Sequence, residues 1–181
     1  MTASRPDLRG PEFIALAAFM MSVFALSIDI TIPALALIGR DLAVANANDA
    51  QYIVSVLVLG MALGQIFYGP LSDSIGRKPS IYVGLALFSA GSIVSLVATD
   101  FPTMLAGRLL QGLGAAGPRI VIMALVRDQF AGPAMARIMS LVITVFVAVP
   151  MVAPFIGQGI LFVATWRAIF VLLLISSLVV L

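Results

Sequence analysis

An all-α integral membrane bundle of six transmembrane helices is the fold class this sequence predicts, and two observations predict it. Hydrophobic residues fill 62% of the 181 positions and charged residues 10%, with a mean hydropathy of +1.17, against roughly 45–50% and 25% in soluble domains. The apolar residues also fall into runs near the roughly 20 residues a helix needs to cross a bilayer core, divided by short polar turns. The same composition excludes much chemistry. Without cysteine or histidine, the chain has no thiolate or imidazole metal site, no disulfide, no Cys or His catalysis and no Ser-His-Asp triad. Ten Lys and Arg against eight Asp and Glu leave a net charge of +2, too sparse a field to bind nucleic acid. No enzyme activity and no cofactor or metal is expected.

The first span covers residues 13–38. Arg5 and Arg9 precede it and Ala34-Leu35-Ala36 imitates a signal cleavage site, but the run far exceeds the roughly 7–15 residues of a signal h-region, so it reads as retained. Further spans follow at 52–71, 80–98, 103–126, 138–163 and 168–181. The last has 14 residues and stops in LLLISSLVVL with no polar flank, which predicts a longer parent chain. With the N-terminus on the cytoplasmic side, Arg5, Arg9, Arg77, Lys78, Arg127 and Arg137 fall inside, while only Arg40 and Arg167 fall outside. That six-to-two bias obeys the positive-inside rule. No connection is long enough to fold as a soluble domain and no repeat is visible, so any chemistry lies among the helices.

Three ionisable residues lie within spans, Asp29, Arg108 and Arg119, and such residues are functional candidates because burying them in hydrocarbon is costly. At about 1.5 Å per residue, Asp29 and Arg108 lie roughly 4–5 and 10 Å to the outer side of their span centres, close enough in depth to pair. Such a pair either serves function or simply fixes helix packing. Arg119 follows Arg108 by 11 residues, within roughly 20° of whole turns, so the two share a face with Gly112 and Ala115 that should line a polar cavity. Pro33 stands four residues after Asp29, where it removes a helical hydrogen bond and predicts a kink. Broken helices at mid-membrane depth are typical of transporter sites. Pro150 and Pro154, followed by Gly157 and Gly159 in VPMVAPFIGQG, mark either a hinge in the fifth span or a tight helix contact. Gly112 to Gly117 spells G-x-G-x-x-G, yet it lies inside an apolar span with no preceding strand, so close helix approach explains it better than nucleotide binding. The same holds for Gly60 and Gly64.

The most specific segment is GPLSDSIGRKP, from Gly69 to Pro79. Asp73 and Arg77 are four apart, Gly76 permits a turn, and Pro79 suits the first turn of the next helix. Its pattern resembles the signature between the second and third helices of the major facilitator superfamily. With Asp29-x-x-x-Pro33, RLLQGLGAAG around Arg108, Gln111 and Gly112, the fifth-span Pro/Gly stretch and WRxIF from Trp166 to Phe170, nearly the whole chain is similar to the N-terminal six-helix half of a Bcr/CflA-type drug:proton antiporter.

The resemblance implies a proton-coupled transporter of the bacterial inner membrane that exports small amphipathic drugs or metabolites by alternating access. Its partners would be protons, a small-molecule substrate, the bilayer and a second six-helix half, from the same parent chain or a dimer partner. It makes Gly69, Asp73, Gly76, Arg77 and Lys78 a cytoplasmic latch. Arg108 and Asp29 become the proton-coupling groups, while Pro33, Gln111, Gly112, Ala115 and Arg119 join them at the substrate cavity, and Pro150, Pro154 and Gly157 form the fifth-helix motif. Burial disfavours a charged carboxylate and a nearby arginine favours it, so separating Asp29 from Arg108 would drive proton uptake. Two residues depart from the family pattern. Gln158 replaces a glycine, which puts close packing there in doubt, and Arg119 stands where a small or apolar residue is expected. Uptake of a nutrient, or a non-transporting half-size scaffold, are the competing readings.

Overall fold

The computed structural model describes residues 11–180, so Arg5, Arg9 and Leu181 lie outside the described residues. Among these residues the regular structure is helical. The helices are α1 (Pro11–Asp29), α2 (Leu35–Asp41), α3 (Tyr52–Ser74), α4 (Arg77–Leu96), α5 (Phe101–Gln129), α6 (Gly132–Val163) and α7 (Arg167–Val180), with short 3₁₀ turns at Ile32–Ala34 and Ala47–Gln51. Five stretches are long and apolar enough to cross a membrane, and α7 is a shorter apolar helix.

Most helices overrun the spans set by hydropathy, since their ends depend on capping and turns instead. Asp100 accepts hydrogen bonds from the backbone N–H and the hydroxyl of Thr103, each at 2.8 Å, and so starts α5 ahead of residue 103. Those bonds, the backbone one first, hold the Asp100 carboxyl below its ordinary range. The cap is therefore complete at neutral pH and weakens only as pH falls through that depressed value. Between α3 and α4, Gly76 adopts φ +96°, which lets α4 begin at Arg77, three residues before the predicted span.

The first span is two helices and not one. Past Asp29 the ladder tightens, with Thr31 N–H donating to the Ile28 carbonyl at 3.2 Å and Ala34 N–H to Thr31 at 3.0 Å. Pro33 lies in the 3₁₀ turn between α1 and α2. By contrast α6 runs as one helix through both Pro150 and Pro154.

The long helix α5 is the centre of the bundle and packs along α3 and α4, while α1 lies against α6 and α7 against α4. In a bilayer, apolar side chains gain nothing by leaving lipid for one another, so close packing of small residues must hold such helices together. A side chain at Gly60 would strike the Leu109 carbonyl, one at Gly91 the Gln111 amide, and one at Gly114 the Phe88 amide. The G-x-G-x-x-G run is thus a packing surface. Larger side chains fill the rest, with Ile53, Leu57, Phe88, Met104 and Phe170 in one buried cluster and Met20, Leu85, Ile122 and Val142 in another. The outer face of α6 is apolar and open, with Met151 72% and Phe155 76% exposed.

Candidate functional site

Arg108 is the largest fully buried side chain. It reaches from α5 to three oxygen acceptors, donating from Nε to the Ile53 carbonyl at 3.0 Å, from Nη1 to Gln111 Oε1 at 2.7 Å and from Nη2 to the Ser27 carbonyl at 3.0 Å. Its guanidinium also lies 5.8 Å from the Phe170 ring centre. Gln111 carries the network onward, donating from Nε2 to Ser92 Oγ at 2.8 Å, and Ser92 in turn donates to the Phe88 carbonyl at 2.8 Å. One cation thereby joins α1, α3, α4, α5 and α7. Burying a charge becomes tolerable when each guanidinium nitrogen donates to an oxygen, as Nε, Nη1 and Nη2 do here.

The break in the first span supplies one of those oxygens. In an unbroken helix the Ser27 carbonyl would accept from Thr31 N–H, but that N–H turns to Ile28. The released carbonyl accepts instead from Arg108 Nη2 and from Thr31 Oγ1, both at 3.0 Å. Here the expected partnership needs correction. Arg108 goes to backbone two residues short of Asp29, and the Asp29 carboxylate forms no ion pair with it. A freed carbonyl is a rigid acceptor already in place, whereas a carboxylate would have to be buried beside the arginine at further desolvation cost. Asp29 itself is half-buried, as the last residue of α1.

The other expected cavity residues are placed as follows. Gln111, Gly112 and Ala115 are buried in helix contacts, and a side chain at Gly112 would strike the Leu57 carbonyl of α3. Arg119, on the same face, is half-buried, with Nη1 3.6 Å from Met61 Sδ and its guanidinium 5.7 Å from the Phe146 ring centre. Gly157 presses onto the broken segment, where a side chain would strike the Ile30 carbonyl. That favours the tight-contact reading of the fifth-span motif over a hinge. Gln158 points away from this contact and is exposed, so its departure from the family pattern leaves the packing intact.

At the α3–α4 end, Arg77 donates from Nη1 to Asp73 Oδ1 at 2.8 Å and to Ser72 Oγ at 2.6 Å, and from Nε to Asp128 Oδ2 at 3.0 Å. Lys78 is exposed. Asp128 escaped the sequence reading because it lies 51 residues from Arg77, although the adjacent Arg127-Asp128 pair at a helix end was a visible signal. The Asp128 side chain is 52% exposed, so Asp128→Asn should cost under about 1 kcal/mol, an effect that vanishes in high salt. Thermal melting with and without salt tests this, and a large loss unaffected by salt would contradict it.

The opposite end has its own cluster, also missed. Asp41 Oδ2 accepts from Trp166 Nε1 and from Arg167 Nη1, each at 2.9 Å, and Arg167 Nη2 donates to the Ala98 carbonyl at 3.2 Å. These bonds tie α2 to the α6–α7 and α4–α5 turns.

Comparison with known proteins agrees with this architecture. The sequence model of the Major Facilitator Superfamily matches residues 17–181. The chain is 35% identical over 95% of its length to the uncharacterized MFS-type transporter YdgK of Bacillus subtilis, covering 44% of that relative. It is 34% identical over 87% to the bicyclomycin resistance protein homolog of Haemophilus influenzae, covering 39%, and 32% identical over 88% to the multidrug resistance protein MdtL of Salmonella typhimurium, covering 40%. The chain thus spans less than half the length of these curated relatives.

Proposed function

The chain belongs to the major facilitator superfamily, and from that premise we propose that it forms the N-terminal six-helix half of a proton-coupled exporter of small amphipathic drugs or metabolites. The names of its relatives, multidrug and bicyclomycin resistance proteins, support export of drugs. The proposed setting is a bacterial inner membrane with the N-terminus on the cytoplasmic side, and the second half comes from the parent chain or from a partner.

The observation that carries this reading is a half-buried carboxylate, Asp29, at a helix break whose freed carbonyl is held by a fully buried arginine. Backbone outside the helical ladder moves at lower cost than backbone within it. Gain or loss of a proton on Asp29 changes the charge at that break, and the Ser27 carbonyl transmits the change to Arg108 and through it to the neighbouring helices. The field of Arg108 acts on Asp29 across one turn of backbone. Alternating access then rocks this half against the other. The Asp73–Arg77–Asp128 cluster forms the cytoplasmic latch. Gly69 supports that role, since a side chain there would meet no atom within 4 Å, leaving room for another backbone to approach.

Asp29→Asn in the full-length protein tests the reading in inside-out vesicles. Efflux driven by a pH gradient should fall to background while counterflow of the same solute persists. Unchanged pH-driven efflux would remove Asp29 from the mechanism.

A further inference from the structure

A cavity of about 250 Å³ opens at the end of the bundle opposite the Asp73–Arg77–Asp128 cluster, and neither the latch nor the break at Asp29 uses it. Its walls follow from two short pieces of sequence. Leu37 and Asp41 stand four apart on α2 and so share one face of that helix. Opposite them α6 stops at Ala164, whose backbone is extended at φ −147° and ψ 172°, and three residues later α7 starts at Arg167. Leu161, Ala164, Trp166 and Arg167 line that side. The volume falls just below the roughly 300–1,000 Å³ of drug-sized sites, which suits a smaller solute.

Both signs of charge meet on this wall. Arg167 Nη1 donates to Asp41 Oδ2 at 2.9 Å, Nη2 donates to the Ala98 carbonyl, and the guanidinium lies over the Trp166 ring. These contacts fix the pair without exhausting it. A guanidinium has five N–H groups and a carboxylate two oxygens. Among the described residues Arg167 uses two of its donors, and Asp41 takes its hydrogen bonds from Trp166 and Arg167 on Oδ2 alone. Asp41 Oδ1 and the other N–H groups of Arg167 are left for a ligand, on side chains 49% and 38% exposed respectively. A lone cation drawn to Asp41 meets Arg167 beside it, and a lone anion drawn to Arg167 meets Asp41, so the pair offers little to either. A zwitterion whose charges are adjacent lies antiparallel to the pair and meets an opposite charge at both ends. We propose that the cavity binds a small zwitterion of this kind, its ammonium on Asp41 Oδ1, its anionic group on the spare N–H groups of Arg167, and its apolar body against Leu37 and Leu161. This site goes beyond the transport reading and does not depend on it.

Three probes sharing a phenyl body test it: phenylalanine, which carries both charges, phenethylamine, which lacks the carboxylate, and 3-phenylpropionate, which lacks the ammonium. Binding is measured by calorimetry on the full-length protein in nanodiscs. Phenylalanine should bind at least about tenfold more tightly than either single-charge probe, as one further charge-assisted hydrogen bond permits. Asp41→Asn, which removes the charge but keeps an oxygen for Trp166 and Arg167, should bring phenylalanine to within about twofold of 3-phenylpropionate. Should that variant fail to fold, Ala164→Phe decides, because its ring fills the cavity while the ion pair stays intact. It should melt like wild type and lose phenylalanine binding. No phenylalanine binding to wild type, equal affinity for the three probes, a preference unchanged in Asp41→Asn, or binding unchanged in Ala164→Phe overturns the site. Efflux driven by a pH gradient plays no part in these readouts, so the transport reading stands or falls separately.

Discussion

Arg108→Ala is expected to destabilise the bundle by on the order of 3 kcal/mol, combining a large-to-small cavity with oxygens left without their donor. The loss is spread over several helices because the side chain joins them at once. Ile53, Gln111 and Ser27 each lose a hydrogen bond, and Ser92 loses the orientation of its Gln111 partner. Arg108→Lys should recover only part of the loss, since an ammonium is a compact point charge and cannot reproduce the planar spread of the three donors. Arg108→Met is the informative comparison. It fills much of the space and removes the charge, and replacing buried charges with apolar groups of similar volume is often neutral. The methionine variant should therefore melt closer to wild type than the alanine variant while losing pH-driven efflux. Thermal melting in detergent, beside vesicle transport, separates the two roles. An alanine variant as stable as wild type would refute the packing role.

Gly112→Ala is expected to cost about 2–3 kcal/mol, the upper range for forcing extra volume into a packed contact, and Gly112→Val more. The obstacle is backbone. A side chain at residue 112 meets the Leu57 carbonyl, with the Leu57 carbonyl carbon and the Met61 nitrogen both 2.9 Å away, so α3 must move as a unit to make room. Gly159→Ala provides the control. There a side chain would meet nothing within 4 Å, and helix propensity alone should make the change neutral or stabilising by up to about 1 kcal/mol. Yield of folded protein and thermal melting decide. Equal behaviour of the two variants would show that the α3–α5 contact does not depend on close backbone approach.

Much of the architecture was legible because bilayer physics writes it in coarse letters. Run length marked six spans, and the Pro33 position marked the break between α1 and α2, since a missing N–H and a ring clash act locally. The glycine pattern of α5 was recognisable as packing from its apolar setting. Interactions across the bundle were not legible in the same way. Asp41 meets Trp166 and Arg167 from 125 and 126 residues away, and Asp128 meets Arg77 from 51. No local spacing records such encounters. The partner of Arg108 was hidden for a different reason. A carbonyl freed by a helix break has no residue type of its own, so inspection of side chains alone favoured the nearest carboxylate. Gln158 is a different case, since its exposed direction follows from its place one residue past the buried Gly157 on the helix.

Trp166 is the only tryptophan in the chain, and it stands where α2, α6 and α7 meet, hydrogen-bonded to Asp41, with Arg167 4.2 Å from its ring centre and the Phe170 ring edge-on at 5.9 Å. The molecule thus carries its own optical gauge. Indole emission depends on the charges and solvent around the ring, so the undisturbed protein reports on one locality with no introduced label. A shift in colour or quenching on adding a solute, or on changing pH across the membrane, would register the unseating of α2 from its neighbours, and its time course would give the rate of that movement in the native chain.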